Sequence, residues 1–485
     1  MRHAALGLCM LAAACGPSKE KDRPASAPAP SPGLPAAVPD QPAPVAQPDF
    51  PEGTRSLQLT RTVPVRLDPG DDGKRIGTVA VDTRVGWTRT AKAKGCAKPW
   101  VELSPRGWIC SEYIKPTKLS PFGREVPMLD RGEIVPGIYG KLVGQNLTTY
   151  TLQQADPKKK PSRERPVTSP SQVDAPAAES RMVEDKPIIG SLTVRQYEEL
   201  TVGGKVYWKV SAKGNEYVLS SAVRVHAPSQ FMGTRLGDDT GWALPIAFVW
   251  PRYGGSKAWT YHKPNAYVNR QVAAKTAVAI LEVAAGKDGK PVAYRVGAAE
   301  WMSPMDVRIF EPTAPPPLLQ PNERWIDVDL DKQILVAFEG ELAVYATLIS
   351  SGAKETPTQT GLYRIWLKES EADMKNLKAE DPYSVATVPW TQFFYSEDDL
   401  ALHTAYWHDG FGKARSHGCL NLAPRDARWL YYWSDPQMPP GWTMTTGVVE
   451  LPGSVVRVRS IADPNPQWKG YAKKVVEARQ QNAPL

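Results

Sequence analysis

Past its first few residues the sequence has no apolar run approaching the roughly 20 residues of a membrane-spanning helix, which excludes a helical multi-span membrane protein. Charge of one sign is also lacking. With 59 Lys and Arg against 51 Asp and Glu, the excess is +8 over 485 residues, too dilute to mark a nucleic-acid partner and only weakly favouring an anionic envelope. Cysteine and histidine are scarce, five and six respectively. The densest set of ligand-type side chains, His403, His408, His417 and Cys419, follows none of the common zinc spacings, so no metal site is expected there. Proline is the residue in excess, 47 in all, about twice the usual share. The length suggests about three or four folding units, which fits one principal domain with accessory modules.

The N-terminus reads as a secretory signal: Arg2, an apolar run from Ala4 to Met10, then Ala12, Ala13 and Ala14 before Cys15. Small residues followed directly by cysteine resemble the lipobox of bacterial lipoproteins, although Leu11 stands one place earlier than the usual leucine. The resemblance implies Cys15 as the lipid-modified first residue of the mature protein, and a multiply acylated cysteine would hold a membrane stably, since each buried methylene contributes about 0.8 kcal/mol. The chain would be anchored in the periplasm or cell envelope, and Gly16 favours the outer membrane if the cell is Gram-negative. An ordinary cleaved signal with an incidental cysteine is the alternative. Of the other cysteines, Cys9 lies inside the signal, and Cys96 and Cys110 could close a small disulfide loop in an oxidising compartment or remain free thiols. Cys419 is a leftover thiol and a candidate nucleophile.

The expected organisation is a signal over 1–15, a Pro/Ala-rich linker over 16–51, and β modules over 52–118, 119–228 and 229–312. The second module carries a disordered insert, 155–186, with the basic cluster Lys158 to Lys160. A proline-rich break over 312–321 precedes a principal domain at 322–460 and a C-terminal tail at 461–485. Short apolar runs between Gly, Asp and Lys turns make the fold mainly β. A faint repeat links Trp100-Val101-Glu102-Leu103 and Gly107-Trp108 with Trp208-Lys209-Val210 and Gly214, and Tyr294 to Val307 reads as a divergent third copy. These modules resemble bacterial Src-homology-3-like barrels. In the principal domain Ile326, Val328 and Leu330 alternate with Asp327 and Asp329, and Ile334, Val336 and Phe338 share a face. A short helix starts at Pro424, with Ala427, Leu430 and Tyr431 on one side, and stops at Pro436.

The chemistry is concentrated in His403-Thr404-Ala405-Tyr406-Trp407-His408-Asp409-Gly410 and Ser416-His417-Gly418-Cys419-Leu420-Asn421. A thiol needs a base or a positive field to become nucleophilic, and a histidine supplies both. Gly418 allows a sharp turn that leaves backbone N–H groups to face an oxyanion. His408, in a polar Asp-Gly loop, reads as a surface or substrate-loop residue. Trp390, Phe393, Phe394 and Tyr395 could line a donor groove, but at least half of them are expected in the core.

This block, with Thr356-Pro357-Thr358 and Gly361 before it, resembles the YkuD-type L,D-transpeptidases, whose domain is an antiparallel β fold with a short helix after the nucleophile. The resemblance implies Cys419 as nucleophile, His403 as base and the Thr404 carbonyl orienting its imidazole. His417 flanks the site, and the amides of His417, Gly418 and Cys419 form the oxyanion hole. Ser416 and Asn421 hold the loop, with Asn421 standing where many members have arginine. It further implies acyl transfer from a peptidoglycan tetrapeptide stem, with release of D-alanine. The acceptor is left open among a stem amine, a protein amine, a D-amino acid and water, and base, thiol and backbone donors suffice without a cofactor. A related amidase or peptidase cutting protein-to-wall links, and an inactive wall-binding lipoprotein, are the alternatives. Since every residue named lies beyond Pro321, the modules are expected to be dispensable for chemistry.

Overall fold

The alternating pattern from Ile326 onward folds as expected into strands, but both faces of the first one are buried. In the computed structural model, which describes residues 50–154, 180–376 and 382–481, the strand Arg324–Asp329 pairs with Ile334–Glu339 on one side and, in parallel, with Val455–Arg459 on the other. The parallel register sets Asp327 beside Arg457 and Asp329 beside Arg459. Arg457 Nε lies 2.5 Å from Asp327, and Arg459 reaches Asp327 at 2.9 Å and Asp329 at 3.0 Å. Buried carboxylates are tolerated because each is paired and hydrogen-bonded. The sheet runs, edge to edge, Thr234–Arg235, Leu342–Leu348, Ile334–Glu339, Arg324–Asp329, Val455–Arg459 and Gly361–Arg364.

A second sheet packs across it and carries Leu367–Asn376, Tyr383–Tyr395, Leu400–Thr404, Leu420–Leu422 and Trp442–Thr446. Ile326, Val328, Leu335, Trp390, Leu402 and Leu420 meet in the layer between. The helix Pro424–Trp433 closes one side with Ala427, Leu430 and Tyr431 buried. Its two ends are tied down from within. Asp426 in the first turn accepts from Tyr345 Oη at 2.7 Å, Gly233 N at 2.8 Å and Thr347 Oγ1. At the other end buried Lys368 donates to the carbonyls of Tyr431 at 2.7 Å and Ser434 at 2.5 Å, a cation at the negative end of the helix. Burial pushes Asp426 up to about 6 and Lys368 down to about 7.

The accessory residues join this framework by sheet extension. Seven short strands between Ser56 and Thr117 form an antiparallel run in which Trp100–Ser104 and Trp108–Cys110 make the expected hairpin, with Cys96 and Cys110 joined in a disulfide beside it. Its outer strand, Arg75–Val79, continues onto Trp442–Thr446. Gly77 permits that seam, because a Cβ there would stand 2.1 Å from the Trp442 ring. On the opposite flank, Ser191–Gln196 adds in parallel to Tyr383–Tyr395, followed by Ile138–Leu142 and Val223–Val225. The second Trp hairpin forms too, Trp208 pairing with Val218 within a separate five-stranded sheet. Residues 246–310 fold as a three-stranded and a five-stranded sheet around Val249, Met302 and Val307.

The signal, Cys15 and linker residues to 49 lie outside the described residues, as do 155–179 of the insert. Some expected boundaries move. Phe50, placed in the linker, packs edge-on against Trp87 at 5.4 Å. Arg181–Pro187, placed in the disordered insert, is a strand paired with Thr148–Gln153; its hydrogen bonds are backbone ones, so a sequence with only Met182 and Val183 half-buried can still form it. The tail contains a helix, Gly470–Gln481, that buries Ala472, Val475 and Val476. The proline-rich break runs along the principal domain, with Arg457 donating to Ala314 O at 2.9 Å and Thr313 Oγ1 at 2.9 Å.

Candidate active site

His403 and Cys419 are brought together by a parallel pairing of two short, fully buried strands, Leu400–Thr404 and Leu420–Leu422. The register sets His403 opposite Asn421, so Cys419 sits at the mouth of the second strand, one residue before it. His403 is buried, and its Nδ1 lies 3.0 Å from the Thr404 carbonyl. A carbonyl only accepts, so Nδ1 carries the proton and Nε2 is left with a free lone pair. Burial lowers the imidazole to about 4, against the raising influence of that carbonyl, and it is neutral at rest. Burial also raises the Cys419 thiol, to about 11. Its side chain keeps one face open to the pocket, and Sγ lies 3.7 Å from the Asp399 carbonyl. With burial disfavouring the charged form of both groups, the thiol and the imidazole are neutral at rest, and a nucleophilic role for Cys419 would require its proton to leave during attack.

The loop before the cysteine is held from two sides. Ser416 Oγ donates to the Cys419 carbonyl at 2.5 Å and accepts from Gly418 N at 3.2 Å. The Thr-Pro-rich loop clamps it from outside: Thr356 Oγ1 donates to Ser416 O at 3.0 Å and Thr358 Oγ1 to Gly418 O at 2.6 Å. Gly418 has φ +121°, which a side chain would resist. Its amide is engaged by Ser416, so of the three amides expected to face an oxyanion it is the one already occupied.

Of the two roles expected for His408, surface or substrate loop, its place in the pocket wall fits the second. Its Nδ1 accepts from Gly410 N at 3.1 Å, and its Nε2 lies 3.1 Å from the Asn421 carboxamide. Burial, then nearby Arg415, lowers its pKa to about 4. A neutral ring that accepts at Nδ1 carries its proton on Nε2, so Asn421 must turn its oxygen toward it, the atom otherwise lacking a partner. Asn421 thus links the strand after Cys419 to the loop after His403.

Trp390, Phe394 and Tyr395 are core residues and Phe393 is half-buried; none of the four lines the pocket. Tyr383 does instead, stacking on His417 with ring centres 4.8 Å apart. Sequence reasoning did not single it out, because one aromatic residue after a polar stretch of sequence carries no local signal. The pocket holds about 340 Å³, and its wall includes Lys141, Ser191, Thr193 and His226 from the accessory region. Every residue named for the site lies beyond Pro321, but the pocket around them takes part of its wall from the accessory region, on which the expected dispensability of the modules therefore also depends. Among the described residues, the one cluster of three ligand-type side chains within metal-binding distance is Cys96, Cys110 and Glu112, and two of these form the disulfide.

Residues 323–458 match the family described as YkuD, L,D-transpeptidase catalytic domain. No curated protein matches the chain. Among solved structures it is similar to an L,D-transpeptidase of Enterococcus faecium, 24% identical over 31% of this chain and 55% of that one, with a TM-score of 0.24. It is also similar to an L,D-transpeptidase from Mycobacterium smegmatis, 19% identical over 49% of this chain and 89% of that one, with a TM-score of 0.23. The chain thus spans 55% of the length of the Enterococcus protein. Residues 323–458, with their two packed sheets and the Ser416 to Asn421 block at the mouth of a buried strand, form a YkuD-type L,D-transpeptidase catalytic domain.

Proposed function

We propose that this protein is a peptidoglycan L,D-transpeptidase that works by cysteine acyl transfer. The observation that carries the reading is the parallel pairing that brings His403, its Nδ1 held by the Thr404 carbonyl, and Cys419 into the wall of one pocket. In the first half-reaction the Cys419 sulfur bonds to the carbonyl carbon between the L-centre of diaminopimelate and the terminal D-alanine of a tetrapeptide stem. His403 Nε2 takes the thiol proton as the bond forms. The amides of His417 and Cys419 face the developing oxyanion. When the tetrahedral species collapses, the C–N bond breaks, the proton passes to the departing nitrogen, and D-alanine leaves behind a thioester. An amine then attacks the thioester, giving its proton to His403, which returns one to sulfur. Stem amines, protein lysines and D-amino acids are all acceptors of the right chemistry, and water in their place gives hydrolysis.

Around this centre the chain would be exported by residues 1–15, anchored through a lipid on Cys15 in the cell envelope, and spaced from the membrane by the Pro/Ala-rich linker. The β modules would act as Src-homology-3-like spacers or wall-binding units. Purified full-length protein incubated with a soluble tetrapeptide stem should release D-alanine, and Cys419→Ala should not. Release without any amide product, even with excess amine, would favour the hydrolase reading. Release by Cys419→Ala at the wild-type rate would end the thiol mechanism.

A further inference from the structure

The accessory strand Ser191–Gln196 does more than extend the catalytic sheet. Its register places Ser191 opposite Tyr383 and Thr193 opposite Val385. The next strand, Ile138–Leu142, places Lys141 opposite Thr193, and on the other side Met374 lies opposite Val385. Directly paired residues of neighbouring strands point to the same face. Met374, Val385, Thr193 and Lys141 therefore form one row across four strands, and all four line the pocket that holds Cys419. Half of that row lies in a segment remote in sequence from the motif.

The charge of the pocket is one-sided. Its lining includes two permanent cations, Lys141 and Arg415, and no carboxylate. Among the described residues no Asp or Glu lies within ion-pair distance of either, whereas the arginines and lysine buried deeper in the domain have acidic or carbonyl partners. The field of these two cations is felt nearby: Lys141 helps to lower the pKa of His226, and Arg415 that of His408. The Thr193 side chain, buried between Lys141 and Val385 in the row, adds a hydroxyl group to the same wall. His226, also in the wall, has a buried Nε2 with no partner. Both cations are exposed to solvent at the edge of the pocket, and an unpaired ammonium beside a buried hydroxyl suits the carboxylate of a bound peptide, whose seating would displace water from the contact.

We propose that Lys141, with Thr193 beside it, forms a carboxylate-binding subsite through which the accessory region selects acidic peptides as acyl donors. The ligand class is a peptide with a free carboxylate near the amide to be cleaved. This rests on the reading of the site as a peptidyl transferase, and it assigns the choice of donor to a residue outside the catalytic domain. Lys141 positions the donor and takes no part in bond making.

The test uses full-length protein and two soluble tetrapeptide donors, one with free side-chain carboxylates and one with those groups amidated. With the acidic donor, Lys141→Ala should raise KM by roughly tenfold at nearly unchanged kcat, as expected for loss of one charge-assisted contact. Lys141→Glu should raise it further, Lys141→Arg should restore most of the affinity, and the melting temperature should not move. With the amidated donor, wild type and Lys141→Ala should be alike. An unchanged KM in Lys141→Ala, or an equal penalty on both donors, would overturn the proposal while leaving the transferase reading intact. If wild type releases D-alanine from neither donor, the transferase reading fails by itself. The subsite is then decided by calorimetric binding of the two peptides to Cys419→Ala protein with and without Lys141→Ala. Weakening confined to the acidic peptide upholds it, and no difference overturns it.

Discussion

The accessory modules and the catalytic segment are both built of short strands, yet they place polar side chains in opposite ways. In the modules the strands expose their charged positions, as in Glu198–Val202 and Val268–Ala273, and among the described residues Asp306, paired with Arg252, is the buried charge. In the catalytic segment Asp327, Asp329, Arg364, Lys368, His403 and Asp426 are all buried. Buried charge adds little net stability, and it holds each group in one geometry only when partners satisfy it. The difference suggests a division of labour: the modules owe their fold to apolar packing and a disulfide, and the catalytic segment trades such packing for fixed polar groups.

The largest test of that contrast is at the site. Cys419→Ala, His403→Ala and the double variant should each lose at least about a thousandfold in D-alanine release and be similar to one another, since the pair acts as a unit. Multiplying losses would show two independent contributions. In the first module, replacing Cys96 and Cys110 by serine should cost about 3 kcal/mol of stability, read as a lower denaturation midpoint, with turnover at low temperature unchanged. Alkylation after reduction should add two labels that unreduced protein does not take up. A loss of turnover there would mean that module and site are coupled.

A smaller effect is expected at the seam between the two regions. Gly77→Ala sets a Cβ against the Trp442 ring and should destabilise the protein by about 1–3 kcal/mol, measurable by calorimetry. No change would mean that the seam yields easily and that the two regions are less tightly joined than their shared sheet implies. His408→Ala removes the partner of the Asn421 carboxamide and should lower kcat by about tenfold. An unaffected kcat would return His408 to the role of a surface loop residue.

The smallest effect concerns pH. His403 stays neutral down to about 4, so kcat/KM should remain level as pH falls from about 7 to about 5 and decline only as the imidazole takes up a proton. Stability follows the same group. The unfolded imidazole binds a proton near its ordinary 6.5 while the folded one resists until about 4, so this contribution is whole above 6.5 and is lost as pH falls through that window. An activity decline centred near 6.5 would show an open site, without the burial that distinguishes this segment.

The sequence by itself determined the Ser416 to Asn421 block, the histidine upstream of it, the alternating strands from Ile326 and the helix at Pro424. Each is a local pattern, with spacing set by the period of a strand, a helix or a tight turn. The helix Gly470–Gln481 was legible too, in Ala472, Val475 and Val476 at helical spacing, against the expectation of a tail. Arg181–Pro187 was not, because backbone pairing can carry a strand whose side chains give no pattern. Only the tertiary structure decided that Asp327 and Asp329 are buried opposite arginines from a distant strand, and that His408 braces Asn421. It alone brought Lys141 and Thr193 into the pocket of a thiol more than 200 residues away in the chain. Strand pairing joins residues without regard to their separation in sequence, so its partners become visible only once the register is set.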